Sequence, residues 1–200
     1  RDRNANTNIV LFDKFPTLRE GTSYNKSIMV PFTTDETLLV RAEAKIHLKQ
    51  YASAVEDLNM WTSKFIQQTT ITVNGQTYSS RNTATQQQII DFYKDANMRY
   101  STANAPTQKK KLHPSFTIEN DGIQENLLHY LLQCRRVLTL GDGLRWQDVK
   151  RYGIEVVRYR CDLSDRDRNY PAATLPVNDP RRAIQLPDVA IRSGMQPNPR

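Results

Sequence analysis

The stretch from Cys134 to Gly153, CRRVLTLGDGLRWQDVKRYG, constrains the fold of this chain more than any other. Leu127, Leu131, Cys134 and Leu138 recur at helical spacing, so an apolar stripe leads into it. Gly141-Asp142-Gly143 then breaks the helix. A short charged helix follows, carrying Arg145, Trp146, Asp148, Val149 and Arg151, and Gly153 closes it. No serine or cysteine nucleophile motif and no phosphate-cradling glycine loop accompanies it.

Earlier in the chain the signals are also helical. Thr33 with Glu36 has capping-box spacing and predicts a helix start. Leu38, Leu39, Ala42 and Ile46 supply its apolar face. Lys49-Gln50 makes a tight connection to a second helix with Ala54, Leu58, Trp61 and Phe65 on one side. Ala42 and Ala54 are twelve apart and Leu58 follows four later, the spacing of close small-residue contacts in tetratricopeptide helix hairpins. Trp61 stands where that repeat usually has another alanine, so the repeat is degenerate. A lone hairpin of this kind cannot bury its own face and needs stacked neighbours.

The stretch 66–120 reads as a variable excursion. Ile71, Val73 and Tyr78 flank Asn74-Gly75, a two-residue hairpin signal. Thr85 caps a third helix, 86–100, with Ile89, Tyr93, Ala96 and Tyr100 on one face. A polar linker, 101–115, leads to Pro114. The fourth helix starts near Asp121, with Gln124 at the capping-box position. Beyond Gly153, the β-branched run Ile154, Val156, Val157, Tyr159 and Cys161 reads as strand. Residues 162–200 are rich in Pro, Asp, Asn and Arg and read as an extended or disordered tail. Residues 1–30 read as irregular, with a short strand at Ile9 to Phe12. The expectation is a single mainly α domain over 1–200. Tetratricopeptide-like hairpins (35–65 first), irregular loops and small β elements make it up, followed by 121–153 and an extended tail, 154–200.

Net charge is +7 and mean hydropathy −0.66. The cations form no single stripe, so nucleic acid is not the expected partner. Lys109, Lys110 and Lys111 sit in a polar loop, Arg166 and Arg168 alternate with aspartates, and Arg181-Arg182 lies in the tail. Each group reads as solvated. No stretch approaches the roughly 20 apolar residues of a transmembrane helix. Two cysteines, Cys134 and Cys161, make no disulfide framework and read as inert core thiols. His47, His113 and His129 have no partners at a metal-ligand spacing and read as surface or interface histidines. Glu119 and Asp121 precede a helix, where capping accounts for them. No metal, cofactor or catalytic residue is expected.

Three blocks together resemble the C-terminal half of SusD/RagB-type outer-membrane lipoproteins of Bacteroidetes. The first joins Leu38-Leu39-Val40-Arg41-Ala42-Glu43-Ala44 to Ala54-Val55-Glu56-Asp57-Leu58-Asn59. The second, and the specific one, is Arg135-Arg136 with Asp142-Gly143-Leu144-Arg145-Trp146-Gln147-Asp148-Val149-Lys150-Arg151-Tyr152-Gly153. The third is Leu175-Pro176-Val177 with Gln196-Pro197-Asn198-Pro199. Cys134, Leu138 and Asp142 replace glutamates usual in the family, and the first two suggest apolar packing in place of part of a polar clasp. The resemblance, over roughly 35–200, implies a non-catalytic, surface-exposed glycan- or nutrient-binding protein of the outer membrane. It would act as a lid on a SusC-like TonB-dependent transporter. The family's lipid-anchored N-terminal cysteine is not in this sequence, as expected of a chain lacking the front half.

Glycan recognition needs exposed aromatic faces for sugar rings and planar amide or guanidinium donors for hydroxyls. Loops on a rigid scaffold are where such groups concentrate. Gln76, Tyr78, Arg81 and Asn82 are therefore the candidate glycan contacts. Arg145, Trp146, Asp148 and Arg151 read as a structural signature, with Trp146 and Val149 in a buried stripe and the segment fastening the tail. A tetratricopeptide adaptor that binds a protein segment is the competing reading. A polysaccharide-active enzyme has no residue support.

Overall fold

The computed structural model describes residues 17–20, 24–27, 32–161 and 169–199. The strand expected at Ile9 to Phe12 lies outside them. The chain is mixed and helix-dominated, with small antiparallel hairpins. It divides into two compact units that alternate along the sequence. One takes in the described residues up to Thr85 together with Tyr130–Arg145; the other comprises Gln86–His129 and the residues from Trp146 onward.

The first unit begins with a short hairpin, β1 (Thr17–Glu20) and β2 (Tyr24–Ser27). Helix α1 (Thr34–His47) starts at the capping signal: Thr33 is extended and its hydroxyl accepts the Glu36 N–H. Lys49 turns the chain with φ 58°, and Gln50 N–H donates to the Lys45 carbonyl. Helix α2 (Tyr51–Phe65) then returns along α1. Leu39, Ala42, Ile46, Ala54 and Leu58 are fully buried. Each buried leucine or isoleucine among them contributes roughly 1.5–3 kcal/mol.

The polar residues of this pair's motifs have partners. Arg41 grips Asp57 through two bonds, Nε to Oδ2 at 2.9 Å and Nη2 to Oδ1 at 2.7 Å. Lys45 Nζ lies 2.7 Å from the same carboxylate. Asn59 exchanges two 2.9 Å bonds with the backbone of Ala84, pinning the segment before Thr85 to α2. Phe65 departs from expectation. It is half-exposed because it ends the helix at an open cleft over the first turn of α1, where it stacks on Trp61 at 4.6 Å.

Strands β3 (Thr70–Val73) and β4 (Gln76–Ser79) form the expected hairpin. Asn74 and Gly75 carry φ of 52° and 78°, the left-handed pair that a tight two-residue turn needs.

The second unit opens with α3 (Gln86–Lys94), which buries Ile89, Ile90 and Tyr93. The helix does not reach residue 100. Asp95 leaves helical geometry at ψ 141°, and its carboxylate accepts the Asn97 N–H at 2.7 Å, starting a 3-10 turn instead. Helix α4 (Ile123–Leu138) contributes its first half to this unit and its second half to the first. Its start also differs from expectation. Gln124 reaches back to the Glu119 N–H, while Glu125 takes the Asp121 N–H that a capping box assigns to Gln124.

Helix α5 (Arg145–Arg151) follows the glycine turn. Strand β5 (Val156–Cys161) runs as predicted, but the tail is more ordered than expected. Asn169–Leu175 forms β6, antiparallel to β5, with a bulge between Arg158 and Tyr159 that sets Pro171 opposite Tyr159. A 3-10 turn at Pro180–Arg182 and a short helix α6 (Asp188–Arg192) complete it.

Candidate functional site

The four candidate glycan contacts lie at one end of the first unit. All eight residues of β3 and β4 are exposed. Strand alternation gives the hairpin two chemically different faces. Thr70, Thr72, Thr77 and Ser79 share one, paired across the strands through hydroxyl contacts of 3.1 and 3.3 Å. Ile71, Val73, Gln76 and Tyr78 share the other. Tyr78 is 53% exposed, and its hydroxyl donates to Gln76 Oε1 at 2.8 Å. Thus the ring face is open to solvent while the amide NH2 of Gln76 stays available beside it. Asn82 is turned toward the base of the hairpin, where its Oδ1 accepts from Gln68 at 2.9 Å. Arg81 is exposed. Gln76 and Tyr78 therefore sit together as a unit; Arg81 and Asn82 flank the hairpin's base.

The signature residues occupy α5. Asp148 and Val149 are buried, but Trp146 is only half-buried, so the expected Trp146–Val149 stripe is half open. Arg151 is exposed and lies over the Phe116 ring at 5.3 Å. Gly153, with φ 55°, comes against the backbone of His113, whose N–H donates to the Tyr152 carbonyl at 2.8 Å.

The tail is fastened here by a residue outside the signature. Arg182, 8% exposed, donates to the carbonyls of Pro176, Ile154, Leu175 and Val149 at 2.6, 2.5, 3.2 and 3.4 Å. Asp179 is held by Arg181 through bonds of 2.8 and 2.6 Å, and this pairing brings its carboxyl down to about 2. Around these groups lies a cleft of about 850 Å³, lined by His113, Phe116, Gln147, Lys150, Arg151 and Asn178 among others.

Sequence reasoning missed a buried polar network in the second unit. Glu125 is 2% exposed. It accepts from the Tyr100 hydroxyl at 2.8 Å and the Asp121 N–H, and lies 3.4 Å from His129 Nε2. Burial works to raise the Glu125 pKa, but His129, the Asp121 N–H and Tyr100 outweigh it and hold the carboxyl below its usual value. Burial and the Glu125 carboxylate push Tyr100 up. Lys109 is likewise buried, not solvated: its Nζ donates to the Tyr93 carbonyl and to Asp121, each at 2.9 Å, above the Tyr100 ring. His129 is buried rather than on a surface, stacked at 5.4 Å against Tyr93. The i, i+4 spacing of Glu125 and His129 was the available signal.

Cys134 is 4% exposed, and burial pushes its thiol up to about 12, so it is not a nucleophile at neutral pH. The side chain of Cys161 lies outside the described residues. Among the described residues no group of three or more His, Cys, Asp or Glu side chains is placed to hold a metal, and no helix is long and apolar enough to cross a membrane.

Neither a family model, nor a curated protein, nor a solved structure matches the chain.

Proposed function

We propose that this chain is a non-catalytic glycan- or nutrient-binding component of an outer-membrane uptake system, similar to SusD/RagB-type lipoproteins and working with a SusC-like TonB-dependent transporter at the cell surface. The observation that carries the reading is the β3–β4 hairpin. It holds an aromatic ring and a planar amide side by side in solvent, in the same unit as a helical pair. That pair, α1–α2, is read as a degenerate tetratricopeptide hairpin. Its motif residues Arg41, Asp57 and Asn59 serve as ties, which suits a scaffold role. The turn and helix around Arg145, Trp146, Asp148 and Arg151 act in this reading as a fastening, not a ligand site.

The test is isolation of the native protein from outer membranes, followed by mass spectrometry of its N-terminus and of co-purifying proteins. A lipid-modified cysteine and a TonB-dependent transporter in the same complex are the expected result. An unmodified protein in the soluble fraction would sink the proposal.

One observation favours the tetratricopeptide adaptor as a second reading. A cleft of about 420 Å³ between the start of α1 and the end of α2 is lined by Leu38, Met60, Trp61 and Phe65, with Arg41 and Lys64 at its edge. An apolar side chain of a bound peptide would fit there. A soluble native protein that captures peptide would favour this reading over the first.

A further inference from the structure

We infer that the β3–β4 hairpin is a self-association element: the free edge of β3 pairs antiparallel with the same edge of a second copy of this chain. Of the three hairpins among the described residues, it alone lacks every device that keeps a sheet edge from pairing. Strands β1 and β2 carry Arg19, Glu20 and Lys26. Strands β5 and β6 carry Arg158, Arg160, Pro171 and a bulge. From Ile66 to Ser80, by contrast, there is no charged residue and no proline. The β3–β4 register runs without a shift, and all residues of both strands are exposed.

The hairpin's register fixes which backbone groups lie on that edge. Val73 and Gln76 flank the two-residue turn, and the Ser80 N–H donates to the Thr69 carbonyl. Ladder bonds of an antiparallel pair fall on alternate residues, here Thr69, Ile71 and Val73. Thr70 and Thr72 therefore turn their N–H and C=O groups outward, and among the described residues no other element bonds to them. Strand β3, Thr-Ile-Thr-Val, is β-branched throughout and so the stronger strand former, whereas β4 includes Gln76 and Ser79.

A two-fold axis through Thr72 makes this edge complementary to itself. Thr72 then faces Thr72 of the second copy, exchanging two backbone bonds, and Ile71 faces Val73 of the second copy. This register continues the hydroxyl face of one hairpin into that of the other, and the apolar face likewise. Because the hairpin is uncharged, two molecules of net charge +7 meet here with no like charges opposed. Strands of four residues bury far less than the roughly 1,200 Å² of a stable interface, so the dimer is weak and reversible. Edge pairing leaves the face of Gln76 and Tyr78 open and is independent of glycan binding there.

The experiment is sedimentation equilibrium of the chain from about 10 μM to about 1 mM, since so small an interface sets a dissociation constant on the order of 100 μM. The average mass should climb from 23.1 kDa toward twice that value. It should climb more readily at high salt, which screens repulsion between like net charges. Thr72→Pro removes the outward donor but no backbone bond of the hairpin, and should weaken association roughly tenfold or more. Thr72→Lys should do the same by setting two like charges opposite each other at the seam. Thr77→Lys, on β4, should associate like wild type. Thermal melts check that each variant folds. A wild type that stays monomeric, Thr72 variants that associate like wild type, a loss in Thr77→Lys as large as in Thr72→Lys, or growth past the dimer would each overturn the pairing.

Discussion

Gly153 passes so close to His113 that a side chain on it would meet the His113 backbone, with a Cβ 2.7 Å from the carbonyl carbon and closer still to the oxygen. The same glycine holds φ 55°. Two independent reasons thus exclude any other residue, left-handed backbone and lack of space. Gly153→Ala should destabilise the protein by roughly 3 kcal/mol, seen as a lower urea midpoint at unchanged slope. Wild-type stability in that variant would show that the approach is not as tight as described.

Arg182 ties the tail to the end of α5 and to Ile154, just ahead of β5. Replacing it with methionine keeps much of the stem but removes the guanidinium donors from four carbonyls, of which those of Val149 and Pro176 keep a backbone N–H partner. The expected loss is about 2–3 kcal/mol. Arg182→Lys should not restore it, because one ammonium cannot span carbonyls from Val149 to Pro176. Proteolysis of the tail should accelerate in both variants, and a lysine variant as resistant as wild type would contradict the role given to the guanidinium fork.

Acid should unfold the chain through two carboxylates. Burial acts to raise Asp57, but Arg41 and Lys45 outweigh it and keep its pKa below the ordinary value; Glu125 is lowered by His129, Asp121 and Tyr100. A group lowered on folding stabilises above its unfolded pKa, about 4, and that contribution is lost as pH falls through the folded value. Stability should therefore be flat near neutrality and decline below about pH 4. Asp57→Asn should flatten part of that decline while costing about 1–2 kcal/mol at pH 7. An acid limb identical to wild type in chemical denaturation would rule out Asp57 as a contributor.

Lys109 and Lys111 are two residues apart in one basic run, yet only Lys109 is buried. Lys109→Ala should cost about 2–3 kcal/mol, since it leaves the Tyr93 carbonyl without its donor and removes packing over Tyr100. Lys111→Ala should change stability by no more than about 0.5 kcal/mol. Equal effects in thermal melts would mean that the run is uniformly solvated.

That contrast marks the limit of what local sequence can convey. Thr33 and Glu36, Asn74-Gly75 and the Ala42/Ala54 spacing are local signals, and α1, the β3–β4 turn and the buried α1–α2 seam follow from them. Lys109 looks solvated because its partners, Tyr93 and Asp121, are distant in sequence. Helix α3 overshot in expectation because Ala96 and Tyr100 keep the helical period, whereas the Asp95 carboxylate captures the Asn97 N–H and diverts the backbone. Strand β6 was hidden by Pro171, which a bulge tolerates. Tyr78 and Gln76 were legible only as members of a polar excursion, together with Arg81 and Asn82; that the first two share a hairpin face follows from the β3–β4 register. The 850 Å³ cleft was not, because His113, Arg151 and Asn178 meet only through the fold.

Glycan binding at the hairpin is the central claim, and Tyr78 is its sharpest point. Tyr78→Ala removes an exposed ring that packs in no core, so the fold should be unaffected. Calorimetric titration of wild type and variant against a panel of neutral and acidic oligosaccharides should find a saccharide that wild type binds and that the variant binds at least fivefold more weakly, with identical melting curves. Unchanged affinity in the variant, or no saccharide bound by the wild type, would contradict it.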